Sequence, residues 1–112
     1  MRATRGKAAG ERVLTLHPEG KAGVRIDSAK YEAMRKAILS VVPRSGEGIA
    51  FFDLPGRVKP RLGSTAFEEG DSVMWYVTTV KLDLEARGEI RRVPGARPQR
   101  LVKGRAVRRS GR

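Results

Sequence analysis

The stretch VMWYVTTVKLDLEAR (73–87), Gly88, EIRRVPGARPQRLVK (89–103) decides how this chain folds. Val73, Val77, Val80 and Leu84 recur at steps of three and four, so they share one face of a helix, flanked by Tyr76. Gly88 supplies a helix end, because the left-handed geometry there is easiest for glycine. Ile90 then opens the first of two short strand-like pieces, 89–93 and 99–103, around the turn PGARP (94–98). The order is therefore helix, glycine, basic hairpin.

Working outward, Asp27 or Ser28 can cap an earlier helix by accepting an orphan backbone N–H. Tyr31, Met34, Ile38, Val41 and Val42 line its apolar face. Pro43 stops it, since proline disfavours helical geometry in the residue before it and has no N–H to donate. Ile49-Ala50-Phe51 reads as a very short strand. Asp53 can begin a second helix with Leu54, Val58 and Leu62 inward, made short or distorted by Gly56 and Pro60. Residues 63–71 form a loop carrying Glu68, Glu69 and Asp71. Asp71 or Ser72 then starts the third helix, where carboxylates favour the helix dipole. Upstream, residues 13–16 and 24–26 read either as a pair of strands or as an extended arm lying on the domain. The expected organisation is one domain over 13–103, with disordered basic tails at 1–12 and 104–112.

The chain has 112 residues and a formal net charge of +12. Nine basic residues and no acid lie between Arg91 and Arg112, leaving residues 1–90 with fifteen basic against twelve acidic ones. The excess thus sits in the hairpin and the stretch beyond it. Five of those cations (Arg91, Arg92, Arg97, Arg100, Lys103) fall within the hairpin. Such a block attracts phosphates through counterion release, although lysine and arginine also guard solvated sheet edges. Cysteine is absent, which excludes disulfides and thiolate metal sites. No apolar run approaches the roughly 18 residues of a membrane span, and no signal-peptide core follows the basic N-terminus, so a cytoplasmic setting is the expectation.

Three helices, a tiny strand after the first and a hairpin after the third resemble the winged helix-turn-helix arrangement. The spacing Val77, Val80, Leu84, Gly88, Ile90 is similar to the end of the recognition helix in bacterial winged-helix regulators. The stretches WYVTTVKLDLEARGEI and RVPGARPQRL also resemble a group of small bacterial proteins of unknown function. The resemblance implies an α+β winged-helix fold, with extra N-terminal strands if residues 13–26 pair. It also implies a DNA partner, with the third helix in the major groove and the wing on the backbone or in the minor groove. By position, Thr78, Thr79 and Lys81 of the helix and Arg91, Arg92, Arg97 and Arg100 of the wing become the nucleic-acid contacts, and Lys103 joins them on charge. RNA is a second candidate, since basic glycine-containing tails also suit it.

A competing reading comes from the helix itself. At about 100° per residue, Trp75 and Leu82 point away from the Val73 and Leu84 side, with Ala86 nearby. This second apolar stripe points to burial against the N-terminal arm or another copy of the chain, that is, a protein interface or homodimer. Glu68, Glu69 and Asp71 lack the glycine-punctuated spacing of a calcium loop. His17, the one histidine, sits before Pro18 with no partner nearby in sequence. A nucleophile, base and orienting group cannot be assembled, so neither an enzyme, a metal, a cofactor nor a small-molecule ligand is expected.

Overall fold

The structure is a computed structural model that describes residues 11–62, 67 and 70–104. It is α+β: three helices and two small antiparallel sheets. The first sheet is a hairpin, β1 (Arg12–Leu14) and β2 (Arg25–Asp27), in the register Arg12↔Asp27, Val13↔Ile26, Leu14↔Arg25. This resolves the choice between strands and arm: residues 13–26 pair, and the hairpin also packs on the domain. It takes in Arg12, which the sequence reading placed in the tail, and the Ser28 N–H donates to the Glu11 carbonyl at 2.9 Å. The tail residues 1–10 and 105–112 lie outside the described residues, as do Glu68 and Glu69.

Helix α1 (Ser28–Val41) starts where expected, with the Asp27 carboxylate accepting from the Lys30 N–H at 3.2 Å. It ends at Val42, whose extended geometry (ψ 125°) accommodates Pro43. Strand β3 (Ile49–Ala50) follows. Helix α2 is only Leu54–Val58, continued by 3-10 turns at Phe51–Asp53 and Lys59–Arg61. Pro60 thus falls in a 3-10 turn rather than in an α-helical interior, which is why the helix is cut short. Helix α3 (Val73–Arg87) is capped by Ser72, whose hydroxyl accepts from the Trp75 N–H at 3.1 Å, and ends at Gly88 with φ 82°. Strands β4 (Ile90–Arg92) and β5 (Arg100–Lys103) form the C-terminal hairpin.

The second sheet has the order β3-β5-β4, with Ile49↔Leu101, Ala50↔Arg100 and Ile90↔Lys103 opposed. The C-terminal hairpin is thereby tied back to the segment between α1 and α2. Below it Met34, Ile38, Leu54, Val58, Val77, Val80, Leu84, Ile90 and Leu101 are buried in one apolar cluster. The predicted faces of α1 and α3 supply most of it.

Gly48 sets the approach of β3 to β5. Its φ is +76°, and a Cβ there would overlap the Leu101 carbonyl. Left-handed geometry alone costs a non-glycine residue about 1–2 kcal/mol. Gly48→Ala is therefore expected to lower unfolding stability by about 2 kcal/mol or more, measured by urea denaturation. An unchanged urea midpoint would show that this contact does not constrain the sheet.

Candidate functional site

The C-terminal hairpin carries the cationic side chains singled out in the sequence, and the fold treats them differently. Arg91 and Arg97 are exposed, and among the described residues no hydrogen bond or ion pair engages either side chain. Arg92 is also exposed, but its guanidinium is held by Glu85 of α3: Nε lies 3.1 Å from Oε2 and Nη2 lies 3.3 Å from Oε1. Arg100 turns back onto backbone, donating to the carbonyls of Glu47 at 2.8 Å and Gly48 at 3.0 Å. There it braces the β3 junction. Lys103 is half-buried, and its backbone N–H donates to the Pro43 carbonyl at 2.8 Å.

The helix positions differ more from expectation. Lys81 was expected on an exposed helix face, but it is 3 % exposed. Its ammonium sits 2.8 Å from the Glu85 carboxylate and 4.9 Å from the centre of the Phe51 ring. Burial lowers its pKa from the ordinary lysine value, against the opposing pull of Glu85. Lys81 is thus corrected from a surface cation to a buried, partnered one. The cause is rotational: one step from Val80, it lies at the edge of the core stripe, where Phe51 closes over it. Thr78 and Thr79 are half-buried, and Thr79 faces the N-terminal hairpin rather than open solvent.

The second apolar stripe is present. Trp75 is 45 % exposed and packs edge-on against Tyr76, with ring centres 4.9 Å apart. Together with Leu16, His17, Val24, Thr79 and Leu82 it lines an open groove of about 160 Å³ between α3 and the N-terminal hairpin. Of the two partners named for this stripe, the N-terminal hairpin lies against it, and Trp75, Leu16 and Val24 remain exposed around the groove.

Asp83 is the residue that sequence reasoning missed. It is fully buried. Its carboxylate accepts from the Tyr31 hydroxyl of α1 at 2.5 Å and from the Leu16 N–H at 2.9 Å. It also accepts from Arg87 Nε at 2.9 Å. One carboxylate therefore joins α1, α3 and the N-terminal hairpin. Burial, then the hydrogen bond to Asp83, holds the Tyr31 phenol well above its ordinary value. The Asp83/Arg87 spacing of four was a visible signal. The contacts from Tyr31 and Leu16, 52 and 67 residues away in the chain, were not. Sequence reading also passed over Arg57, Lys59 and Arg61, which are exposed at the end of α2.

Residues 12–101 match the sequence model of the Family of unknown function (DUF6958). The chain belongs to that family. No curated protein and no solved structure matches it. The match runs from β1 into β5, so the N-terminal hairpin, the Asp83 junction and most of the C-terminal hairpin lie within this family's domain. Among the described residues no helix is long and apolar enough to cross a membrane.

Proposed function

We propose that this family member is a winged-helix protein that grips duplex DNA by its phosphate backbone, as a small transcriptional regulator or nucleoid-associated factor of the cytoplasm. The order α1-β3-α2-α3-β4-β5 with strands arranged β3-β5-β4 supports the winged-helix reading. The observation that carries the DNA reading is the pair Arg91 and Arg97. They stand exposed and unengaged among the described residues, on a hairpin that opens a run of nine basic residues without an acid. Guanidinium groups so placed suit phosphate oxygens, which take two parallel hydrogen bonds from them.

The fate of α3 refines the reading. With Lys81 buried and Thr79 turned toward the N-terminal hairpin, Thr78 is the polar candidate left among the three expected helix contacts. Its neighbours on the outward side are Met74, Trp75 and Leu82. Phosphate contacts position a protein, whereas base contacts specify sequence. Binding is therefore wing-led and tolerant of sequence. If about 6 phosphates are neutralised, log K against log salt falls with a slope of about −5. Titrating a labelled duplex of arbitrary sequence between 50 and 200 mM salt, over which such a slope lowers affinity about 10³-fold, tests this. Binding that ignores salt, or that demands one sequence, contradicts it.

A second reading has its own observation: the exposed apolar side chains of Leu16, Val24 and Trp75 around the groove. On this reading the groove seats a protein, a second copy included. Trp75→Ala is then expected to leave the melting temperature within about 2 °C while abolishing self-association in sedimentation velocity. A wild-type chain that sediments as a monomer at high concentration removes the homodimer.

A further inference from the structure

Glu85 occupies an unusual place for an acid in a cationic protein. Its carboxylate is 6 % exposed and is shared by two cations from different elements, Lys81 of α3 at 2.8 Å and Arg92 of β4 at 3.1 Å. Beside it a shallow cleft of about 310 Å³ opens between Pro18 and Glu19 of the N-terminal hairpin and Glu85, Ile90, Arg91 and Arg92. Arg91 and Arg92 are neighbours on the same strand, yet only Arg92 is tied down. A carboxylate offers a guanidinium the same two-oxygen geometry as a phosphate.

Resting on the nucleic-acid reading above, we infer that Glu85 is an internal competitor for phosphate that withholds Arg92 from the backbone and so sets how tightly the wing holds DNA. The arrangement has a physical logic. A buried anion fixed by Lys81 pays no further ordering cost to keep Arg92, whereas an incoming phosphate must displace it. The Arg92 head is half exposed, with its side chain at 51 %, so the pair is weak enough to exchange. Glu85 also pins the wing to α3, which ties hairpin orientation to the same contact.

The test is duplex binding by four variants across a salt series. Glu85→Gln keeps one acceptor oxygen but removes the negative charge that holds Arg92 and neutralises Lys81. It should bind about threefold more tightly than wild type and steepen the salt slope by about 0.9, one phosphate's worth. Glu11→Gln makes the same charge change at an exposed residue away from the wing contact and should produce neither effect. Arg92→Ala alone should change affinity less than about twofold, because Arg92 is already committed. In the Glu85→Gln background the same substitution should return affinity to the wild-type value. The role of Glu85 is overturned if Glu85→Gln matches Glu11→Gln, or if Arg92→Ala weakens the wild-type protein as much as it weakens Glu85→Gln. Should neither wild type nor Glu85→Gln bind duplex even at 50 mM salt, the nucleic-acid reading itself fails and takes this inference with it.

Discussion

Replacing Asp83 with alanine is expected to destabilise the fold by about 2–6 kcal/mol, since the Tyr31 hydroxyl and the Leu16 N–H lose their acceptor at about 1–3 kcal/mol each. Whole domains are stable by only about 5–15 kcal/mol, so this change puts the folded state itself at risk. Three donors lose their acceptor together: the Tyr31 hydroxyl, the Leu16 N–H and the Arg87 guanidinium. Two of these tie α3 to other elements, so the loss is cooperative. Urea unfolding gives the magnitude, and amide exchange at Leu16 shows whether the N-terminal hairpin lifts from α3. Tyr31→Phe should cost less, about 1–3 kcal/mol, because Asp83 keeps its other two donors. The same junction imposes an alkaline limit. The folded chain holds the Tyr31 proton above the ordinary phenol value of 10.0, so the unfolded chain gives it up first. Its contribution is intact below about pH 10 and shrinks as pH rises beyond that. An Asp83→Ala protein with wild-type urea midpoint and unchanged Leu16 exchange would remove Asp83 from this role.

The second large effect is on binding. The double substitution Arg91→Ala and Arg97→Ala removes two exposed hairpin cations whose side chains no hydrogen bond or ion pair engages among the described residues, so the fold should survive within about 0.5 kcal/mol. Losing two phosphate contacts should flatten the salt slope by about 1.8 and weaken duplex binding by at least tenfold near 100 mM salt. Arg100→Ala should behave in the opposite way. It removes a brace across the Glu47 and Gly48 carbonyls, so stability drops by about 1–3 kcal/mol while the salt slope stays close to wild type. Equal losses of binding from the Arg91/Arg97 pair and from Arg100 would mean that generic charge, not wing geometry, governs affinity.

Much of the architecture was legible in the chain. The faces of α1 and α3 followed from apolar spacing, and their ends from Asp27, Ser72, Pro43 and Gly88, because those signals are local. The pairing of β1 with β2 was not decided by sequence. Strands this short acquire their register from what they pack against, here α3 through Leu16 and Asp83. The candidate site was legible in composition and misleading in detail. Counting cations along the C-terminal hairpin could not separate Arg91, exposed to solvent, from Arg92 and Arg100, already committed to Glu85 and to backbone carbonyls. Lys81 misled for a related reason. Lysine is almost never buried without a partner, and its partners Glu85 and Phe51 are identified only once the helix is placed against the 3-10 turn at Phe51–Asp53.

The central claim is that the wing, projecting beside α3, is where duplex DNA is held. Backbone amide shifts followed during titration with a short unlabelled duplex address it residue by residue. The account predicts the largest changes across 90–103, centred on Arg91 and Arg97, with smaller ones near Thr78. Changes confined to residues 105–112, or centred on Trp75 and Leu16, would contradict it.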